Sequence, residues 1–523
     1  LKTLLYYILS GFLLAFAWPT NGFSLLIFIA FVPLLFKNYN LVKHGYSHTK
    51  LFFLNYLSFV VWNFISTGWL YYSSSFGMLF AVLVNSALMS LVMLVVIKFI
   101  KKLNFIASAS LFISLWLSFE YLHYHWEFSW PWLTLGNVFS ESISFIQWYE
   151  YTGVFGGSLW VLLVNIVILK SVLLFNQYKE KAIIYRAIFK TVLLVGLPIV
   201  LSVLIKPSTS TKSYIETIVL QPNIDPYEEK YNLTDAQIKQ QLLEQVMPLL
   251  KPEHRQLILA PETVFANGTE FKSYKYSHAK DFTKQVLLKN PNAQILMGIS
   301  AYELIRDQSQ LTLQSNYLRK NLWYNDYNSA VFQNKDTLNF YHKSKLVVGV
   351  ENFPYKGLLE PILGNVMLDL GGTVATKTTQ ANREVFSTNT DLKVAPIICY
   401  ESVYGEYVTN YVKNKANVLA IITNDAWWDD TQGYQQHWSY AKLRAIETRK
   451  AVARSANTGI SGFIDRDGSE LSRSKYNTKT ALVEKLPIYT SEPTFYVTYG
   501  NVIPRLALLL AGLIVLFSIT RRR

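Results

Sequence analysis

Long apolar runs alternate with short polar loops in the N-terminal part of the chain. They lie at Leu4 to Ala17, Phe23 to Phe36, Leu51 to Tyr71, Met78 to Ile97, Phe105 to Phe119, Gly153 to Leu174 and Thr191 to Leu204, and one more follows at Val502 to Ile519. Most approach the roughly 20 residues that cross about 30 Å of hydrocarbon. The pattern therefore predicts eight membrane spans, the first two short enough to form a tilted or re-entrant hairpin.

From Ile215 the pattern changes to short β-type runs separated by charged helical stretches. Strands are predicted at Ile215 to Leu220, Gln256 to Ala260, Ala293 to Ile299, Ser329 to Gln333, Leu338 to Tyr341, Val394 to Ile398, Val418 to Thr423, Gly459 to Ile464 and Ala481 to Leu486. Helices are predicted at Thr234 to Leu250, Ser277 to Lys289, Tyr404 to Val412 and Gln435 to Ala456. Such alternation implies an α/β layered domain with helices covering a sheet. The domain reading is a membrane domain with seven spans at 1–206, an extramembrane domain at 207–499, and a C-terminal span with a basic tail at 500–523. Asn334 to Thr337 and Asp465 to Gly468 read as hairpin turns, and Gly371-Gly372 as a turn.

Composition agrees with a lipid-solvated protein, because only 16% of residues are charged against a usual share of about 25%. Basic residues set the expected orientation. Lys2, Lys37, Lys43, Lys50, Lys98, Lys101, Lys102, Lys179, Lys181, Arg186, Lys190 and Arg521 to Arg523 flank every second loop. The alternate loops at 19–22, 73–77 and 123–151 carry none, so both termini are expected in the cytoplasm and the large domain outside. The net charge of +14 then reads as topology signal and contact with anionic lipid, and no nucleic acid is expected. No small-residue cleavage site follows the first apolar run, which reads as a retained span. The spans hold few charges of the kind that mark substrate paths, Glu120 being the exception, which argues against a transporter.

Three side chains of the large domain fall at the ends of predicted strands. Cys399, the only cysteine, stands where Val394 to Ile398 gives way to Tyr400-Glu401-Ser402; it can form no internal disulfide and is either a small core residue or a nucleophile. Glu262 follows Leu257 to Pro261 and reads equally as an acid in a helix's first turn. Lys343 follows a hairpin strand, where lysines usually face solvent. Chemistry can join the three: a thiol near pKa 8.5 needs a base or cation nearby, a glutamate takes its proton, and a lysine stabilises thiolate and oxyanion. A strand-to-helix turn at Cys399 would aim the following backbone N–H groups at that oxyanion. The histidines show no metal-ligand spacing and there is no Gly-rich phosphate loop, so no metal and no cofactor are expected.

From Ile215 to Leu486 these residues resemble the nitrilase (carbon–nitrogen hydrolase) superfamily, whose members use a Glu-Lys-Cys triad in this chain order. The resemblance rests on Ala260-Pro261-Glu262, Tyr341-His342-Lys343 with Glu351, and Ile398-Cys399-Tyr400-Glu401. It continues through Thr423-Asn424-Asp425-Ala426-Trp427-Trp428, Gln436-His437, Arg444-Ala445-Ile446-Glu447 and Arg454 to Ile460. With spans on both sides, and with Phe16 to Pro19 and Pro131 to Asn137, nearly the whole chain resembles the apolipoprotein N-acyltransferase family. Ala260, Val348-Gly349-Val350 and Tyr231 depart from that family's usual residues and bear on the acyl pocket rather than on the triad.

The resemblance implies a multi-span helical membrane domain plus an α-β-β-α sandwich. It implies transfer of an acyl chain from a phospholipid, through a cysteine thioester, to the N-terminal amine of a diacylglyceryl apolipoprotein, in the bacterial inner membrane with the catalytic domain facing the periplasm. In that scheme Glu262 is the general base, Cys399 the nucleophile, and Lys343 with the Tyr400 N–H the oxyanion site. Glu351 orients the lysine, Glu401 supports the elbow, and Trp427 and Tyr231 contact substrate. The enzyme is expected to act as a monomer. The rival readings are a membrane-tethered amidase, in which water resolves the thioester, and a scaffold in which all three side chains are idle.

Overall fold

The computed structural model describes residues 2–205, 213–225, 229, 232–361, 375–387 and 391–520. Tyr231, the Gly371-Gly372 turn and the basic tail Arg521 to Arg523 lie outside the described residues. Two compact units form, one from Leu1–Lys206 with Tyr499–Arg523 and the other from Pro207–Thr498.

Among the described residues of the first unit seven helices are long and apolar enough to cross a membrane: Ser24–Lys43, His48–Tyr72, Ser75–Phe99, Phe105–Leu122, Val154–Tyr178, Lys181–Leu204 and Val502–Thr520. The first apolar run is the shorter helix Lys2–Phe16, whose 15 residues rise about 22 Å at 1.5 Å each, less than the hydrocarbon thickness. Several buried polar side chains inside this unit pair with one another, which lowers the cost of placing them among apolar helices. Asn38 donates to Asn55 at 2.8 Å and accepts from the Tyr7 hydroxyl at 2.7 Å, while Asn85 donates to Asn63 at 2.7 Å. Glu120 accepts from Trp116 Nε1 at 3.0 Å and from the Leu135 N–H at 2.8 Å. It thereby ties the turn Leu135–Phe139 to its own helix, a structural use for the acid that stands out in the sequence.

The second unit is built on two sheets. The first contains β1 (Ser213–Gln221), β2 (Gln256–Leu259), β3 (Phe265–Glu270), β4 (Ala293–Ile305), β5 (Asn316–Arg319), β6 (Leu322–Gln333) and β7 (Leu338–His342). The second contains β8 (Phe386–Ser387), β9 (Lys393–Ile398), β10 (Val418–Thr423), β11 (Ala451–Ala456), β12 (Gly462–Ile464) and β13 (Glu470–Arg473). The last strand, β14 (Thr480–Ile488), returns to the first sheet and pairs antiparallel with β1. The strand orders are β14-β1-β2-β4-β6-β5, with β3 on β4 and β7 on β6, and β13-β12-β11-β10-β9-β8. Each sheet has a parallel centre, β1-β2-β4 in one and β9-β10-β11 in the other. Central strands buried on both faces read as unbroken apolar runs, as Val418 to Ile422 does.

Helices Asp235–Val246 and His278–Lys289 cover the first sheet, placing Ile238, Leu242, Val246, Phe282 and Val286 against Ile218, Ile258, Ile295 and Met297. Helices Gly405–Lys413 and Gln432–Thr448 cover the second. Between the sheets Ser455 Oγ donates to Leu220 O at 2.7 Å. The result is the α-β-β-α sandwich. One sequence expectation fails here: the helix placed at Gln435 to Ala456 ends at Thr448, Arg449 turns left-handed at φ 52°, and Ala451–Ala456 is the central strand β11. Its alanines and arginine carry no period-2 pattern because both faces are buried.

Candidate active site

The parallel strands all release chain toward one edge of the sandwich, the usual position for a site in such sheets. β2 leads into Ala260-Pro261-Glu262, β9 into Cys399, β10 into Asn424-Asp425 and β11 into Asn457. β7 is antiparallel to β6, itself antiparallel to β4, so β7 runs with β4 and delivers Lys343 to the same edge.

Glu262 is held by its turn lying flat on β4. Ala260 N donates to Leu296 O at 2.9 Å, Gly298 N to Pro261 O at 3.0 Å and Val264 N to Gly298 O at 3.1 Å. A Cβ at Gly298 would stand 2.3 Å from Thr263 N and 2.5 Å from Glu262 Cα, so glycine is what permits this approach.

Lys343 joins two carboxylates. Its Nζ lies 2.9 Å from Glu262 Oε1 and 2.9 Å from Glu351 Oε2. Asn328 Nδ2 braces the same pair, donating to Glu262 Oε1 at 2.7 Å and Glu351 Oε1 at 3.0 Å. Glu351 also accepts from the Val347 N–H at 2.9 Å, which pins the loop following Lys343. Burial opposes the lysine's charge, but Glu262 and Glu351 outweigh it and hold Lys343 well above its ordinary value. It is therefore a cation throughout the neutral range.

Cys399 sits in the left-handed region at φ 49°, a conformation a non-glycine residue adopts only when its surroundings impose it. Burial, followed by the charge of Glu262, pushes its thiol up, and Lys343 pulls the other way. The resting group is accordingly a thiol that must lose its proton as it attacks, not a standing thiolate.

What imposes the elbow is Glu401. This fully buried carboxylate accepts from the Ile398 N–H at 2.9 Å, just before Cys399, and from the Ser344 N–H at 2.7 Å, just after Lys343. Tyr341 at 2.8 Å, Tyr407 at 2.6 Å and Tyr411 at 3.3 Å complete its shell with their hydroxyls. Burial raises Glu401 and these hydrogen bonds lower it, leaving it above its ordinary value. One side chain thus fastens the cysteine turn to the lysine loop. Glu401→Gln replaces an acceptor by a donor facing N–H groups, and it is expected to cost about 1–3 kcal/mol of stability and roughly tenfold or more in turnover, read by thermal melting beside an acyl-transfer assay.

Behind the elbow lies a second buried network. His437 Nδ1 is 2.9 Å from Asp425 Oδ1, and its Nε2 is 3.0 Å from Ser402 Oγ and 3.3 Å from the Cys399 carbonyl. Arg454 Nη2 donates to Asp425 Oδ2 at 2.7 Å. Burial alone would raise Asp425; Arg454 and His437 hold it below its ordinary value. Gly459, at φ 142°, closes over this group, where a Cβ would meet Asp425 Oδ2 at 2.7 Å.

Of the residues expected from sequence, Glu262, Lys343 and Glu351 meet directly, and Glu401 bonds the backbone flanking both Cys399 and Lys343. Tyr400 is buried and follows Cys399 on the turn Cys399–Val403, its ring 5.2 Å edge-on from Tyr404. Trp427 is half-buried on the turn Ala426–Trp428 after β10. Asn328 and the tyrosines around Glu401 escape sequence reading, as do the roles of His437 and Arg454. No local signal marks Asn328, which stands among the polar residues Asn325, Asp326 and Ser329.

Comparison with known proteins bears on the same residues. Residues 304–493 match the carbon–nitrogen hydrolase family, a span that includes Lys343, Glu351, Cys399 and Glu401 and begins after Glu262. The second unit is thus a carbon–nitrogen hydrolase domain of nitrilase type, here joined to a helical domain. Residues 10–167 match the apolipoprotein N-acyltransferase N-terminal domain. An apolipoprotein N-acyltransferase of Chlorobaculum tepidum is 27% identical over 99% of this chain and 96% of that protein. One of Rickettsia prowazekii is 27% identical over 75% of this chain and 72% of its own length. Among solved structures, Nit3 of Saccharomyces cerevisiae, of the nitrilase superfamily, aligns at 13% identity over 54% of this chain and 93% of its own, with a TM-score of 0.36. The chain is similar to apolipoprotein N-acyltransferases over nearly its whole length, and it is an acyltransferase.

Proposed function

We propose that the enzyme N-acylates apolipoproteins by a two-step transfer through a thioester on Cys399. The observation that carries the reading is the buried Lys343 held between Glu262 and Glu351, tied through Glu401 to a cysteine on a left-handed turn. In the first step Glu262 takes the thiol proton as sulfur attacks a phospholipid acyl ester. Lys343 Nζ and the Tyr400 N–H stabilise the tetrahedral oxyanion. The lysophospholipid leaves with the proton returned by Glu262. In the second step the α-amine of a diacylglyceryl-modified N-terminal cysteine attacks the thioester, an amide forms, and the thiol is regenerated. Trp427 lines the acyl entrance in this reading.

The seven apolar helices support it, because both substrates carry acyl chains and reside in a bilayer. The basic loops support a catalytic domain on the periplasmic side of the bacterial inner membrane with both termini in the cytoplasm. A monomer holds every side chain that the scheme uses.

The amidase alternative uses the same residues but lets water resolve the thioester. Supplying a lipopeptide amine to the detergent-purified enzyme with phospholipid separates the two. Acyl transfer predicts an N-acylated peptide whose amount depends on added amine. Release of free fatty acid alone, at a rate indifferent to the amine, would overturn the proposal.

A further inference from the structure

Beside Glu262 lies a small, partly open cavity lined by Ile224, Ile238, Glu262, Thr263, Val264, Asn424 and Asn457. Hydrogen-bond accounting fixes which way the two asparagines of its wall face. Backbone N–H groups can only donate, so the oxygens they meet are oxygens. Ile224 N donates to Asn457 Oδ1 at 3.1 Å, which leaves Asn457 Nδ2 to donate to Ile224 O at 2.7 Å and to Asn424 Oδ1 at 3.2 Å. Ala426 N meets that same Asn424 Oδ1 at 3.4 Å. Asn424 Nδ2 is consequently left over: it is buried, it belongs to a residue only 4% exposed, and it has no hydrogen-bond partner. A buried donor without an acceptor is costly, and at a reaction site it marks where a substrate oxygen belongs.

We infer that this cavity is the acceptor subsite and that Asn424 Nδ2 donates to the first peptide carbonyl of the acceptor, a reading that rests on the acyl transfer proposed above. The geometry of an α-amino amide makes the case. For the amine to attack the thioester carbonyl, a N–C bond forms and the C–S bond breaks; the amine's proton passes to Glu262 and then to the departing sulfur. The amine must therefore reach Glu262. In a peptide's first residue the carbonyl oxygen lies two bonds beyond the Cα that bears the amine, so an amine at Glu262 brings a carbonyl to the same small cavity. Ile224, Ile238 and Val264 supply apolar wall for the thioether arm of the lipidated cysteine. Asn424 would thus distinguish the N-terminal residue of a peptide from a simple lipid-borne amine.

The test compares two acceptors that carry the same amine and the same diacylglyceryl thioether. One is a cysteinyl peptide and the other the corresponding cysteamine, which lacks the carbonyl. Their kcat/KM ratio is measured in the wild type, in Asn424→Asp, which keeps the oxygen facing Ala426 and Asn457, and in Asn424→Ala. Intrinsic amine reactivity cancels when the ratio is compared between proteins. The expected result is that the preference for the peptide falls about tenfold or more in both variants, the worth of one hydrogen bond, while an acyl-enzyme adduct still forms. An unchanged ratio would overturn the assignment, as would variants unable to form the adduct, since Asn424 would then act in the first step. Failure of the wild type to form any adduct would instead overturn the proposed thioester route itself.

Discussion

Lys343→Met is expected to lower acyl transfer by at least about three orders of magnitude while leaving a protein that binds phospholipid. Methionine fills a similar volume but removes the cation, and two effects then combine. Loss of one oxyanion donor by itself costs roughly 10²- to 10³-fold. Beyond that, Glu262 and Glu351 are both bonded to the same Lys343 Nζ and the same Asn328 Nδ2. Without the lysine two carboxylates share one neutral amide, which favours a proton on one of them and removes the base from the reaction. Breaking a buried ion pair also destabilises, by about 3–5 kcal/mol, so a melting curve must accompany the rate. A folded variant with near wild-type turnover would remove Lys343 from the mechanism.

Cys399→Ser is expected to be the more severe change, a loss of roughly 10⁴-fold or more, because a hydroxyl in the same place is a far poorer nucleophile at neutral pH. The substitution is nearly isosteric, and serine at φ 49° meets the same backbone constraint as cysteine. Stability is therefore expected to change by less than about 1 kcal/mol. That combination, an unchanged fold with no turnover, separates a chemical role from a packing one. A buried cysteine that served only as core would give the opposite: altered melting and retained activity.

Much of this architecture is legible in the sequence because it follows from one-dimensional periodicity. Apolar runs mark the membrane helices, and the central strands stand out as Val418 to Thr423 or Val394 to Ile398 between polar breaks. Strand ends then point to Glu262, Lys343 and Cys399. What stays hidden depends on convergence in space. Nothing local says that Asn328 reaches Glu262, 66 positions away, or that Tyr341, Tyr407 and Tyr411 gather on Glu401. Strand β11 is missed because alanine-rich, doubly buried chain looks helical until Arg449 turns left-handed. Short strands such as β5 and β13 are missed because they are largely polar and carry little hydrophobic signal. The asparagine beside the site is likewise silent, since its meaning lies in a hydrogen bond it does not make.

The central claim is a phospholipid-derived thioester on Cys399, and intact-mass spectrometry tests it most directly. The detergent-purified enzyme and its Cys399→Ser variant are incubated with a defined phospholipid and no amine acceptor. The account predicts a single added acyl mass on the wild type, removed by neutral hydroxylamine and absent from the variant. A folded wild type that carries no adduct while still delivering acyl chains to an added amine would contradict it, because transfer would then proceed without the covalent intermediate.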